Sequence, residues 1–346
     1  MSSLPPRRDL PDLQTRRNHL MSEIGAPPRK RSRRLLFGGL LAGTAVAVAG
    51  GVAATVLVAS PGDPVRSPSV RPSAVPLQLI SATEVLERAS RAASDEPELA
   101  PKPDHYLYFE SKIHEAKGRG TFYRKTWFAV DAKRAGLLRT TDKSFSDQPQ
   151  PGHPGWGEIW LCNGFPQKVD VNNPPDDDPG CRSDSKYRSD LPTTPDAMYR
   201  WLYDNSQGDN PPDVQAFDTV GSAIRESYVP PKARAALFAA ASRIPGVTVT
   251  RDVTDLAGRK GVAVGQSWHG TRQELIFDAV TYRFLGERTI IDYETSFDPP
   301  GGETNPAVPV PWTPPAKMKA RFKHGEVTYE STELRVALVP KVGQEP

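Results

Sequence analysis

Two cysteines and six histidines in 346 residues leave little for thiolate or imidazole chemistry. His19, His105, His114, His153, His269 and His324 are scattered, and no two stand at ligand spacing on one predicted helix, so a metal centre is not expected. Asp176-Asp177-Asp178 lacks the alternating oxygens, glycine and distal Glu of a calcium loop, and reads as a solvated acidic loop. The phosphate-cradling patterns GxxxxGK and GxGxxG are missing. Gly265-Gln266-Ser267-Trp268-His269-Gly270 is one residue too long for a nucleophile elbow, and it lies in strand-rich sequence rather than between a strand and a helix. Carboxylates are plentiful, but nothing in the sequence pairs them. No catalytic residue, no cofactor and no enzymatic activity are therefore expected.

Excess charge is also scarce over most of the chain. The formal net charge is +3, yet residues 1–34 alone carry nine Lys/Arg against three Asp/Glu, so the remainder is slightly acidic. Basicity therefore belongs to one flank, and no nucleic-acid surface is expected on the large domain.

What the sequence does have is one long apolar run, Leu35 to Ala59, without a charged side chain. As a helix it would measure roughly 37 Å, enough for a hydrocarbon core of about 30 Å. Nine basic residues precede it, while Arg66 and Arg71 alone follow closely, so the positive-inside rule places the N-terminus in the cytoplasm and the large portion outside. The expected location is the plasma membrane, with a single pass. Ser32-Arg33-Arg34-Leu35-Leu36-Phe37 offers the alternative of a twin-arginine export signal. Cleavage after Ala59 would put bulky Leu57 at −3, and cleavage after Ser60 would put Pro61 next, so an uncleaved anchor is the preferred reading.

Four regions follow: a cytoplasmic basic tail (1–34), a transmembrane helix (35–59), a Pro/Ser-rich linker (60–76) and an extracytoplasmic domain (77–346). The tail is too short for a domain. It could form one amphipathic helix with Leu10, Leu13, Leu20 and Ile24 along a face that needs a membrane or protein partner, or remain a disordered tail held by anionic lipid.

The domain opens with Ser81-Ala82-Thr83-Glu84, a capping-box pattern before a helix that ends near Ser94. Antiparallel strands are expected around 106–114, 120–130 and 136–141, a loop over 142–156, and a strand pair within 156–171. Helices follow from Thr194 and Pro195, over 213–227 and over 231–244. Strands return at 247–253, 260–268, 272–277, 282–292, 316–322 and 327–339, interrupted by a Pro/Gly-rich excursion at 298–315. Helix, meander, helices, meander is an α+β order without the β-α-β alternation of a parallel sheet.

Two features could make a site. Cys162 and Cys181 both fall outside the membrane, where a disulfide is the natural reading and two free thiols the alternative. Closing that loop of roughly 20 residues would contribute about 3 kcal/mol. Trp156, Trp160, Trp201 and Trp268 could line an apolar pocket, or could simply be core.

Several stretches also carry a resemblance: Ile244 to Val264 (IPGVTVTRDVTDLAGRKGVAV), Leu275 to Gly286 (LIFDAVTYRFLG), Val339 to Pro346 (VPKVGQEP), Leu191 to Asp196 (LPTTPD) and the paired cysteines. Together they resemble an uncharacterised family of actinobacterial single-pass membrane proteins associated with extracytoplasmic-function sigma factors. The resemblance implies a sensing or anti-sigma role. It also implies an outer domain similar to the half-barrel of lipoprotein carriers and periplasmic sigma-regulator domains, a curved antiparallel sheet over helices. Within it, Asp278 would start a tight turn between two strands. Zinc-containing anti-sigma domains carry His and Cys ligands, whereas residues 1–34 have only His19, so any sigma-factor contact would fall to the Leu10 to Ile24 helix.

The expectation is thus a membrane-anchored extracytoplasmic sensor or sigma-factor regulator, anti-sigma-like and without enzymatic activity. Its partners would be the cell membrane, a sigma factor through residues 1–34, and lipid or another apolar ligand. The alternative is a membrane-tethered carrier or binding module for lipid or lipoprotein.

Overall fold

A strand near the C-terminus, Val327–Val339, lies in the middle of the fold although it is the last to be made. The computed structural model describes residues 80–145, 149–150, 153–162, 165–167, 181–206, 208, 210–294, 297–298, 310–311 and 313–346. All of them belong to one compact unit, Gln78–Pro346. The expected apolar span, the basic tail with Leu10, Leu13, Leu20 and Ile24, the linker and the Asp176–Asp178 loop lie outside the described residues. Among those described, no helix is long and apolar enough to cross a membrane.

The elements run α1 (Ala82–Ser94), β1 (Tyr106–Glu115), β2 (Gly120–Ala129), β3 (Gly136–Thr140), β4 (Pro149–Gln150), β5 (His153–Cys162), β6 (Phe165–Gln167), α2 (Pro195–Asp204), α3 (Pro212–Ile224) and α4 (Pro231–Ala241). They continue with β7 (Thr248–Thr254), β8 (Lys260–Trp268), β9 (Thr271–Asp278), β10 (Phe284–Ile291), β11 (Phe297–Asp298), β12 (Val310–Pro311), α5 (Ala316–Arg321) and β13, the strand Val327–Val339. Strands β4-β5-β3-β2-β1-β13-β10-β9-β8-β7 form one antiparallel, curved open sheet, with β6 paired to β5. The fold is α+β, as the element order implies.

β13 pairs with β1 from Tyr106↔Val339 to Glu115↔Tyr329, and with β10 from Gly286↔Thr332 to Ile290↔Val327. It thereby joins two meanders, β1–β6 and β7–β10, into a single sheet. Most of the other strand neighbours are sequential hairpins, which need only short connections.

The helices start as their sequences dictate. Ser81 is the N-cap of α1, its Oγ accepting from Glu84 N at 3.1 Å. Only half of a capping box forms, because the Glu84 carboxylate accepts from Arg88 instead. Thr194 stands at the N-cap of α2 without a side-chain cap bond, and proline in the first turn supplies the preorganised φ in α2, α3 and α4. α4 is alanine-rich and buried on several sides because α1, α2 and α3 all pack on it. Together with Val262, Val264, Leu275 and Phe277 from the sheet, these helices build the largest apolar cluster.

One segment reverses its sequence reading. Ala316–Phe322, expected as a strand, instead forms a short helix over Ala316–Arg321. Ala, Lys, Met and Arg are all good helix formers, and Pro315 immediately precedes the first turn, so local propensity prevails over a weak alternation. The expected loop at 142–156 is also partly ordered, with a 3-10 turn at Lys143–Phe145 and β5 beginning at His153.

Candidate functional site: a charged seam where the two meanders meet

Alternation along β9 sorts its residues onto two faces. Leu275 and Phe277 turn to the helices, while Ile276 joins Val253, Ala263 and Leu285 on the other side. β10 pairs Glu287 with Leu275 and Arg288 with Glu274, so these two charged neighbours go to opposite faces.

On the helix side, Glu287 meets Arg225, which follows the last turn of α3. Nε of Arg225 donates to Oε1 of Glu287, and Nη2 donates to Oε2 at 3.0 Å. Burial lowers the Arg225 pKa, but the Glu287 carboxylate more than offsets this, so the guanidinium stays charged. Helix α3 can come this close because it carries Gly221: a Cβ there would stand 3.2 Å from Glu287 Oε2. Next to this pair, Arg124 of β2 approaches Glu226 at 3.0 Å, with Glu226 held at a φ of +45°. Burial, reinforced by Glu287, pushes the Tyr329 phenol up to about 12. Glu333, half-buried on β13, is raised above the usual carboxylate range by burial, with Arg234 opposing and Glu96 adding to it.

The opposite face carries a second group. Glu274 is 1% exposed and accepts from Arg272 Nε at 2.7 Å, Arg288 Nε at 2.7 Å and the Thr250 hydroxyl. Burial pushes its pKa up, but Arg288, Thr250 and Arg272 together pull harder, so it lies below the ordinary value. Across β13, Glu330 goes the other way, because burial outweighs the attraction of Arg288.

Small spaces follow the seam. Two cavities, of about 20 and 30 Å³, share Arg225 and Glu287 and lie between α3 and the sheet; each has room for about one water. A larger and open one, of about 530 Å³, is lined by Thr248, Thr250, Gln266, Ser267, Arg272 and Asp292 at the β7 edge. Among the described residues, no three His, Cys, Asp or Glu side chains converge to hold a metal. The arrangement is one of satisfied charge pairs, suited to fixing geometry and to polar recognition.

The sequence-derived candidates fall elsewhere. Cys162 and Cys181 form the disulfide, with Cα atoms 4.5 Å apart, at one end of a cluster containing Tyr106, Tyr108, Trp127 and Trp160. The four tryptophans do not converge. Trp160 is core in that cluster, and Trp156 on the same strand carries the Lys125 ammonium 5.0 Å from its ring. Trp201 packs against the helical cluster, and Trp268 stacks on His269 at the end of β8. None of the four lines any of the cavities above. The turn expected from the family resemblance is present: Asp278 Oδ1 accepts from Val280 N at 3.0 Å and Thr281 N at 2.7 Å. Sequence reading missed the seam itself. Its one signal was Arg272-Gln273-Glu274 directly before Leu275-Ile276-Phe277, charges inside an otherwise apolar strand.

Fold and seam together define a class, an α+β protein with an open antiparallel sheet whose helices cover one side. No family model matches the chain, and no characterised protein matches it in sequence. Among solved structures it is similar to MucB, at 11% identity and a TM-score of 0.25, over 77% of this chain and 60% of that one. The MucA/MucB complex of Pseudomonas aeruginosa aligns at 13% identity with a TM-score of 0.24, over 77% and 58%. A LolA-superfamily protein of Nitrosomonas europaea aligns at 11% with a TM-score of 0.19, over 78% and 96%. The chain thus spans about 60% of the length of the MucB structure it matches first. Likeness at this level transfers no residue or role to this chain.

Proposed function

We propose that the protein is a membrane-anchored extracytoplasmic sensor or sigma-factor regulator, without enzymatic activity. In this reading residues 35–59 hold it in the plasma membrane, the 77–346 domain receives a signal outside, and residues 1–34 carry it to a sigma factor. The observation that carries the choice is the filling of the helix–sheet interface. A lipid carrier would keep an apolar cavity of several hundred Å³ there. Among the described residues that space holds a packed apolar cluster, charged pairs and two water-sized cavities. MucB is known in complex with MucA(peri); in this reading the chain likewise associates with another protein.

Two measurements test the reading. Affinity capture with residues 1–34 should recover a sigma factor, and deleting them should change the envelope-stress transcriptome; failure of both ends it. Native mass spectrometry of the intact protein released from the membrane addresses the alternative, because a stoichiometric lipid retained by the outer domain would favour the carrier.

A further inference from the structure

Trp127 is fully buried, yet what lies over it is a thin strap with mostly exposed side chains. Residues 341–345 follow β13 and turn back across β1–β3. Lys341, Gln344 and Glu345 are exposed, and Val342 alone packs into the aromatic cluster. The sheet supplies the donors and the strap supplies mainly its backbone. Trp127 Nε1 donates to the Gln344 carbonyl at 2.6 Å, and Arg139 Nη1 to the Gly343 carbonyl at 2.9 Å. Lys125 Nζ reaches the Glu345 carboxylate at 2.7 Å. The donors are fixed beforehand: Arg139 is pinned by Glu158 at 2.6 Å and lies 5.0 Å from the Trp127 ring.

Such a surface reads a pattern and ignores most side chains. It needs an apolar residue, then glycine, then any residue, then a carboxylate. Glycine is demanded twice: φ is +76° at Gly343, and a Cβ there would stand 3.0 Å from Arg139 Nη2 and 3.5 Å from Leu137 Cδ2. We propose that the Trp127 face of β1–β3 is a peptide-binding surface for a turn-forming apolar-Gly-X-acid segment of a partner protein, with residues 341–345, folded into a turn in which Gln344 N donates to the Lys341 carbonyl at 3.3 Å, as its resident competitor. A segment tethered in the same chain competes at an effective concentration on the order of millimolar, so the strap sets the threshold a partner must exceed. This surface is separate from the charged seam.

The test uses a labelled KVGQEP peptide and fluorescence anisotropy. The full chain lacking residues 341–346 should bind it at least tenfold more tightly than the intact chain. Peptides with Ala in place of Gly, or Lys in place of Glu, should lose most of that gain. Equal binding by the deleted and intact chains, or equal binding of the three peptides, overturns the proposal. Should the deletion fail to fold, the intact chain carrying Gly343→Ala replaces it: dislodging the strap must then raise peptide binding, and no rise is equally fatal.

Discussion

The β7–β10 half of the sheet and the β1–β6 half are built from similar hairpins but sealed by different means. Over β8 and β9, four helices contribute Leu86, Met198, Leu202, Val220, Leu237 and Phe238 to a continuous apolar cluster. Over β1–β3 no helix among the described residues joins the cluster on the Trp127 side. That side has a disulfide, a strap, and guanidinium and ammonium groups laid on aromatic rings, with Arg134 4.5 Å from Tyr106 and Arg139 5.0 Å from Trp127. One half is held by volume, the other by cross-links and specific contacts. The difference teaches where each will fail: the helical half through cavities, the aromatic half through redox or loss of single contacts.

The largest effect is expected from truncating the helical half. Phe277 is fully buried and meets Phe238 edge-on at 5.1 Å. Phe277→Ala should cost about 4 kcal/mol in urea unfolding, whether or not reductant is present. If reductant changes that cost, the halves are not independent.

Cys162→Ser should cost about 3 kcal/mol, since the bridge joins residues 19 apart and restricts the unfolded chain. The loss should appear in the near-ultraviolet signal of the Trp127 and Trp160 cluster and be reproduced by reductant in the wild type. A bridge worth nothing to stability would mean that the strap and the stacked cations hold this half alone.

The fold was largely legible in the sequence because alternation and helix-start chemistry are local. Lys260–Trp268 and Val327–Val339 were readable to the residue, and Ser81 marked its helix. The seam was not legible, because it depends on strands far apart in sequence coming into register. Glu274 finds Arg288 only through the β9–β10 pairing, and Arg225 finds Glu287 across 62 positions. Nor does alternation say that β13 enters between β1 and β10. The error at Ala316–Arg321 has a simpler cause: six residues give a period too little length to show.

Within the β7–β10 half, Glu274→Gln should cost about 2–3 kcal/mol at neutral pH, leaving buried Arg272 and half-buried Arg288 without their counter-charge. The pH dependence has a defined sign. The folded pKa of Glu274 is depressed, so its stabilisation is present above the unfolded carboxylate range and lost as pH falls through the folded value. Glu330 is raised, so its contribution is present in acid and lost as pH rises through its folded value. Glu274→Gln should therefore be less harmful in acid, and Glu330→Gln should gain relative to wild type as pH rises. Parallel stability–pH curves for both variants would contradict the opposite environments assigned to these carboxylates.

The smallest effect tests whether the helical half yields locally. Ser81 Oγ accepts one backbone N–H of α1, and Glu84, turned toward Arg88, offers no reciprocal bond. Ser81→Ala should thus cost about 1 kcal/mol, and Ser81→Asp should recover it through the same acceptor and the helix dipole. Hydrogen exchange should report the loss in the first turns of α1, whose Val85 and Leu86 are fully buried in the helical cluster. Protection in β1–β3 should stay unchanged. If the loosening reaches Trp127, β13 transmits it, and the two halves behave as one cooperative unit.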